Sequence, residues 1–279
     1  MKVGGEVSTS FSKVQHKEPM LSLQNTYSPE EILEFETKIQ RQLNSESPIE
    51  FFCSPKYDGV AIELVYENGK LTHGITRGDG TTGEDVLSNV KTIKNLPTKL
   101  NTQNPPPRID IRGEILLFKK EFAAINERQQ EAGQQSFANP RNAAAGTIRQ
   151  LDSKIAGARN LRMFCYAHGY SEGADYKSQA DFENDIENMS LPVMPLAKNK
   201  VNTKSLSGLC LGGEEVVNYY KTLESLRHDL DFEIDGIVVK VNSFALQKQL
   251  GNIARSPRWA FAAKFKPEQA QTIVKEIIV

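Results

Sequence analysis

The sequence predicts an α+β fold of antiparallel sheets flanked by helices, and three observations carry that prediction. Val60, Ile62, Leu64 and Tyr66 alternate with Ala61, Glu63 and Val65 up to an Asn68-Gly69 turn, and Leu71 to Arg77 then returns, the pattern of a β-hairpin. Ser28 to Leu43 places Ile32, Leu33, Phe35, Ile39 and Leu43 largely on one helical stripe. Two further apolar strands, Ile234 to Val241 and Trp259 to Lys266, follow late in the chain.

The first helix has Ser28 as its N-cap, Pro29 at its first position and Glu30 and Glu31 in its first turn; the polar run Asn44 to Pro48 ends it. An extended run, Phe51-Phe52-Cys53, leads through Lys56-Tyr57-Asp58-Gly59 into the hairpin, so a lysine and an aspartate stand at a junction between strands. The Gly-rich connection Gly78 to Asp85 either turns free backbone N–H groups toward an anion or makes tight turns. Asn101 to Pro107 reads as a loop, Arg108 to Leu117 as a strand carrying Arg112-Gly113-Glu114, and Lys119 to about Ala132 as a helix. Asn139 and Pro140 open another helix that runs to about Gln150. Arg141 and Arg149 on it stand roughly 80° apart around the axis, so both reach one concave surface. Leu161 to His168 alternates as a strand with Phe164, Tyr166 and His168 on one face, which serves either as core or as a base-stacking platform. Ser171 to Gly213 is polar and reads as an irregular connection with short helical patches, before a helix from Glu214 to His228.

A chain of 279 residues that is 39% hydrophobic and 25% charged has ample core material for a globular protein. Thirty-four Lys and Arg against 35 Asp and Glu give a net charge of -1, so any polyanion site is local and not a uniformly basic coat. Cys53, Cys165 and Cys210 are widely separated and lack paired zinc-finger spacing, which suits a reduced, cytoplasmic protein. No stretch approaches the roughly 20 apolar residues that span a bilayer, and Met1 to Glu6 has no apolar signal core.

Lysine chemistry is the strongest functional signal. Lys240 lies in the apolar strand Ile234 to Val241, and Lys264 lies in Phe261-Ala262-Ala263-Lys264-Phe265. A lysine in a buried strand is costly unless an anion meets it; the alternatives are that each snorkels at a strand end or pairs with Asp235 or Glu114. Lys56 joins them as a third amine, either an exposed turn lysine or one placed to attack a nucleotide phosphate.

The chain resembles the nucleotidyltransferase domain of bacterial NAD-dependent DNA ligases. The resemblance is carried in order by His16-x-x-Pro19-Met20-Leu21-Ser22-Leu23-x-Asn25, Lys56-Tyr57-Asp58-Gly59, Thr76 to Val86, Arg112-Gly113-Glu114, Phe137 to Gly146, Arg149-Gln150-Leu151-Asp152, Asp235 to Lys240 and Lys264-Phe265. It implies a nucleotidyltransferase (ATP-grasp-like) fold around a nucleotide cleft, and Lys56 as the nucleophile that takes AMP from NAD and expels nicotinamide mononucleotide. By the same resemblance Lys240 and Lys264 supply positive charge near that amine, and Asp58 orients it or holds a magnesium-bound water. Glu114 contacts the ribose and helps with metal, Arg77 and Arg141 contact ribose or phosphate, and Arg149 and Arg227 belong to the phosphate- and DNA-facing set. Tyr166 and Val238 sandwich the adenine, with Ser22 and Leu23 at its edge. Ser54 stands where the family usually has a glutamate that bonds the adenine amino group, so that contact is weaker, water-mediated or taken by another group.

The implied cofactors are NAD and Mg2+, with zinc confined to a C-terminal region outside the chain. The implied partners are NAD or AMP and, for the whole enzyme, nicked double-stranded DNA in replication and repair, with no membrane partner and a monomeric state. Residues 1–279 read as one adenylation domain excised from a larger ligase, without the N-terminal nicotinamide-mononucleotide domain or the C-terminal oligonucleotide-binding, zinc, helix-hairpin-helix and BRCT domains. Such a fragment is expected to bind adenine nucleotides and to self-adenylate poorly with NAD. The competing readings are an ATP-using ligase or capping-type nucleotidyltransferase, and a non-catalytic nucleotide-binding module.

Overall fold

The computed structural model describes residues 10–194, 196–197, 206–254 and 256–266. The expectation drawn from Met1 to Glu6 lies outside them. Along the chain run β1 (Lys13–Gln15), β2 (Gln24–Thr26), α1 (Pro29–Leu43), β3 (Glu50–Tyr57), β4 (Val60–Glu67), β5 (Lys70–Thr76), β6 (Thr82–Glu84) and α2 (Leu87–Val90). Next come β7 (Arg108–Leu116), α3 (Lys119–Glu131), α4 (Pro140–Ile148), α5 (Ser153–Ala158), β8 (Arg162–Glu172), α6 (Gln179–Asn188), β9 (Leu196–Ala197) and β10 (Ser207–Leu211). The last are α7 (Gly213–Leu226), β11 (Ile234–Val241), α8 (Phe244–Leu250), β12 (Asn252–Ile253), β13 (Ser256–Pro257) and β14 (Ala260–Lys264).

Two sheets face each other. One has the strand order β2-β14-β11-β3-β10-β9 and the other β5-β4-β7-β8. The α+β class is as the sequence predicts, and each sheet owns a core: Phe51, Cys53, Ile237, Val239 and Phe261 pack with Ile32, Ile39, Val216 and Tyr220 from α1 and α7. Ile62, Leu64, Ile109, Ile111 and Met163 pack with Ala143, Ala144, Phe182 and Ile186 from α4 and α6. β3 belongs to the first sheet and β4 to the second, so Asp58 and Gly59 form the two-residue link between them. All three cysteines are free and buried.

Helix ends follow their caps. The Ser28 hydroxyl accepts from the Glu31 N–H, the Asn139 side chain accepts from the Asn142 N–H, and Asn44 closes α1 in the left-handed region at φ 50°. The described residues between 171 and 213 hold more regular structure than the polarity of this stretch suggests. Ser178 caps the ten-residue α6, and β10 pairs antiparallel with β3. Its polar helix faces and the short, Gly-containing β10 carry little periodic signal, which is why tertiary pairing and not local pattern defines them. β8 likewise runs on to Glu172, and α8 follows a Ser243 cap.

The Gly78 to Gly83 connection is a tight turn. The Asp79 carboxylate accepts from the N–H groups of Thr81 and Thr82 and from the Thr81 hydroxyl, Gly80 N–H donates to the Arg77 carbonyl, and Asp79 N–H donates to that of Thr82. These bonds hold the Asp79 carboxyl down at about 2. The turn's own carbonyls then fix the N-terminal segment: His16 N–H donates to Thr81 O and Met20 N–H to Gly80 O, while β1 pairs with β6. Gly78 has φ +56°, and a Cβ there would sit 1.9 Å from the Thr82 carbonyl oxygen. Gly78→Ala is expected to destabilise the chain by at least about 1 kcal/mol, read as a lower midpoint in thermal or urea unfolding.

Candidate active site

Antiparallel register builds the floor of a cleft of about 1860 Å³ between the sheets. Across β3, β11 and β14 the paired residues form rows: Lys56–Gly236–Lys264, then Ser54–Val238–Ala262, then Phe52–Lys240–Ala260. Directly paired residues share a face, so the first row is cationic at both ends and the second is a strip of small side chains. Gly236 keeps the first row thin, since a Cβ on it would lie 2.2 Å from the Ala263 carbonyl oxygen.

β11 carries a register irregularity between Ile234 and Gly236, which pair with the adjacent β3 residues Tyr57 and Lys56. Asp235 is the extra residue of this bulge, and the bulge aims its carboxylate at the cationic row. One Asp235 oxygen lies 2.9 Å from Lys56 Nζ and the other 3.4 Å from Lys264 Nζ. Asp235 thus bridges two of the three lysines singled out in the sequence. Lys240 does not join them. It is 6% exposed, two rows from Lys56 or about 13 Å along the strand, and its ammonium donates to the Tyr166 carbonyl. Burial pulls that ammonium down to about 8.

The opposite wall comes from β7 and β8. Here too a bulge intervenes: Arg112 pairs with Ala167 and Gly113 with Cys165, leaving Tyr166 as the extra residue. The Tyr166 hydroxyl donates to a Glu114 oxygen at 3.3 Å. The N-terminal segment supplies the rim: Arg77 donates to the Ser22 hydroxyl at 2.8 Å, and Leu23 lines the cleft beside it. Beneath that segment the buried Glu63 carboxylate takes His16 Nδ1 at 2.7 Å on one oxygen and Arg112 Nε at 2.8 Å on the other. From the α4 side, Arg141 donates to Asp58 at 2.9 Å and Arg149 meets Glu84 at 2.8 Å.

Ser22, Leu23, Lys56, Arg77, Glu114, Arg141, Tyr166, Val238, Lys240 and Lys264 therefore line one cleft, with Asp58 tied to it through Arg141. Ser54 lies on its floor, 4% exposed. Arg227 stands apart, its guanidinium 5.9 Å from the Phe265 ring centroid and donating to the Lys266 carbonyl. Sequence pattern singles out Asp235 only as one possible partner of a lysine, and it misses Gln179 and Glu183 altogether; a bulge and a polar helix face leave no periodic trace.

Glu114 is 8% exposed, and burial pushes its carboxyl up to about 7 against the opposing pull of Arg141, Lys56 and the Tyr166 hydroxyl. A carboxyl whose folded value exceeds its unfolded one of 4.5 holds its proton in the folded state while the unfolded chain releases it. Its contribution to stability is therefore lost as pH rises from 4.5 to about 7, a change of about 3 kcal/mol, and is constant above. Relative to the parent, Glu114→Gln is expected to gain stability in urea unfolding between pH 5 and pH 8. A difference that does not change with pH would overturn this.

Residues 8–268 match the family model described as the NAD-dependent DNA ligase adenylation domain. The chain is 54% identical over 279 residues to a DNA ligase of Bdellovibrio bacteriovorus, covering all of this chain and 40% of that protein. It is 48% identical to a DNA ligase of Geotalea uraniireducens and 46% identical to one of Citrifermentans bemidjiense, each alignment covering 99% of this chain and 40% of the relative. The chain thus spans about 40% of the length of these relatives.

Proposed function

Because the chain belongs to the NAD-dependent DNA ligase adenylation-domain family, we propose that it is the part of a DNA ligase that takes AMP from NAD onto Lys56. The observation that carries this reading is the row Lys56–Gly236–Lys264, whose two amines share the Asp235 carboxylate at one end of a cleft floored by Ser54, Val238 and Ala262. A purine fits over that small-residue strip with Tyr166 on its other face, and the α-phosphate then falls at the cationic row.

In the proposed step the Lys56 amine forms a bond to the α-phosphorus of NAD as the bond from that phosphorus to the bridging oxygen breaks. Nicotinamide mononucleotide leaves with the bridging oxygen. The amine must lose a proton, and the nearest acceptor is Asp235, 2.9 Å away. Lys264 stays as the cation that offsets charge gathering on the phosphate. Arg141 and Arg77 flank the phosphate and ribose, and Ser22 and Leu23 close over the nucleoside. Lys240 belongs with the base end, since its ammonium lies two rows from Lys56.

No group of three or more His, Cys, Asp or Glu side chains among the described residues forms a metal cage. Magnesium characteristically binds through phosphate oxygens, waters and one or two carboxylates, a role open to Asp58 and Glu114. When bound it would supply charge neutralisation at the phosphates. In the longer protein the AMP would pass to the 5′-phosphate of nicked DNA in replication and repair, in the cytoplasm, with the protein acting as a monomer. No helix among the described residues is long and apolar enough to cross a membrane.

The test compares NAD with ATP in a protein of the relatives' full length that carries this chain. NAD with magnesium is expected to add one AMP to Lys56, seen by intact mass and peptide mapping, while ATP adds none. Labelling from ATP would favour the ATP-using alternative, and nucleotide binding without any labelling would favour a binding module.

A further inference from the structure

The proposed adenylation step makes no use of a buried carboxylate that stands behind the cleft. Glu183 on α6 is 7% exposed, and its Oε1 accepts from the Gln179 side-chain amide at 3.0 Å. That same amide nitrogen donates to the Tyr166 carbonyl at 3.0 Å, where the Lys240 ammonium also donates. The bulge at Tyr166 turns this carbonyl into a shared acceptor. α6 itself is anchored to the end of β11, because Gln179 N–H donates to the Asn242 carbonyl and Ala180 N–H to the Asn242 side chain. The chain of contacts Lys240, Tyr166 carbonyl, Gln179, Glu183 therefore ties the two residues assigned to the base end of the cleft to one carboxylate outside it.

We propose that Glu183 is a positioning residue for adenine recognition: through Gln179 and the Tyr166 carbonyl it fixes the Lys240 ammonium and the Tyr166 ring at the base end of the cleft. The proposal rests on the adenine-slot reading above. A buried ammonium with only a carbonyl partner would be costly, and a nearby carboxylate is the remedy that this helix supplies. Glu183 also favours the charged form of Lys240, and Lys240 in turn favours the charged form of Glu183, whose carboxyl burial pushes up to about 7. Ser54, on the floor beside Val238, is uncharged, so the carboxylate that balances Lys240 comes from the helix and not from β3.

The titratable groups that face this pair are few. Glu187 on the same helix raises the Glu183 carboxyl further. From the packed strands come Tyr57, Cys165 and Tyr166, and from α7 comes Tyr219, all pushed up by burial and neutral below pH 9. Glu114 meets the Tyr166 hydroxyl, not its carbonyl, and is common to parent and variant. Loss of nucleotide binding in the parent should therefore follow Lys240 with a midpoint near pH 8. Without Glu183 the ammonium is still less favoured, so the midpoint moves down.

The experiment measures AMP binding to the 279-residue chain by calorimetry from pH 6 to pH 9.5, with unfolding midpoints in parallel. For Glu183→Gln the expected result is binding about 3-fold weaker at pH 7.5 and a pH midpoint lowered by about one unit. Glu183→Asp, which keeps the charge, should retain the parent's midpoint and so holds the proposal to account even if the glutamine variant folds poorly. A folded Glu183→Gln variant with the parent's affinity and pH midpoint, or an aspartate variant whose midpoint falls, would overturn the proposal. Failure of the parent itself to bind AMP would instead sink the adenine-slot reading.

Discussion

Lys56→Ala is expected to lower AMP transfer from NAD by at least about 10³-fold while AMP binding changes by no more than a few-fold. The separation follows from where the side chain lies. Lys56 is at one end of the cationic row, and the small-residue strip of Ser54, Val238 and Ala262, proposed to carry the purine, is the next row along the floor. Truncating Lys56 removes the attacking nitrogen and leaves the slot walls untouched. Lys56→Arg should be equally inactive, because a guanidinium keeps its proton and offers no free lone pair at this pH. Intact-mass measurement of the full-length protein after incubation with NAD and magnesium reads the first effect, and calorimetry with AMP reads the second. Residual labelling of either variant at near-parent rate would show that the nucleophile is another residue.

Asp235→Asn carries the second large effect, expected as a loss of about 10² to 10³-fold in the rate of adenylation. The asparagine is nearly isosteric, so the bulge at 234–236 survives, but the charge shared by Lys56 and Lys264 is gone. Two ammonium groups that met one carboxylate then repel each other, and the attacking amine loses both its orientation and its nearest proton acceptor. A purely structural role would lower the unfolding midpoint with the rate per folded molecule unchanged. The proposed role predicts the reverse, a folded protein whose single-turnover rate with NAD falls and whose rate rises more steeply with pH than the parent's. Parent-like single-turnover kinetics in Asp235→Asn would remove Asp235 from the proposed step.

Much of this arrangement is legible in the amino-acid sequence. Caps at Ser28 and Asn139, the Asn68-Gly69 turn and the apolar alternation of β4 and β11 are local signals, and local interactions decide those elements. The gathering of Lys56, Glu114, Arg141, Tyr166, Val238 and Lys264 about one cleft is legible only through ordered motifs, since no periodicity relates residues so distant in sequence. What escapes is what bulges and register decide. A single extra residue at Asp235 and another at Tyr166 re-aim those side chains relative to strict alternation, and neither shift has a sequence signature of its own. Residue type and motif alone put Lys240 near Lys56, as a second cation beside a phosphate. Counting rows across β3 and β11 puts it two rows from Lys56. The glycine-rich turn resolves in the opposite sense to an anion cradle, because Asp79 already takes the amides that an anion would need.

The two-residue link at Asp58 and Gly59 has a consequence for the order in which the site is built. β4, β5 and β7 follow one another closely in the chain, whereas the strand that carries Lys56 is hydrogen-bonded to β10 and β11, whose residues begin at Ser207 and Ile234. The bond from Lys56 to Asp235 closes a separation of 179 residues. Loop closure over such spans is slow compared with hairpin formation, so the hairpin sheet is expected to condense early, with the strand that carries Lys56 completed only by the later part of the chain. During synthesis Lys56 emerges long before Asp235 and Lys264, and the cationic row exists only after β11 and β14 have docked. Topology alone therefore keeps the Lys56–Asp235–Lys264 cluster from forming in an unfinished chain.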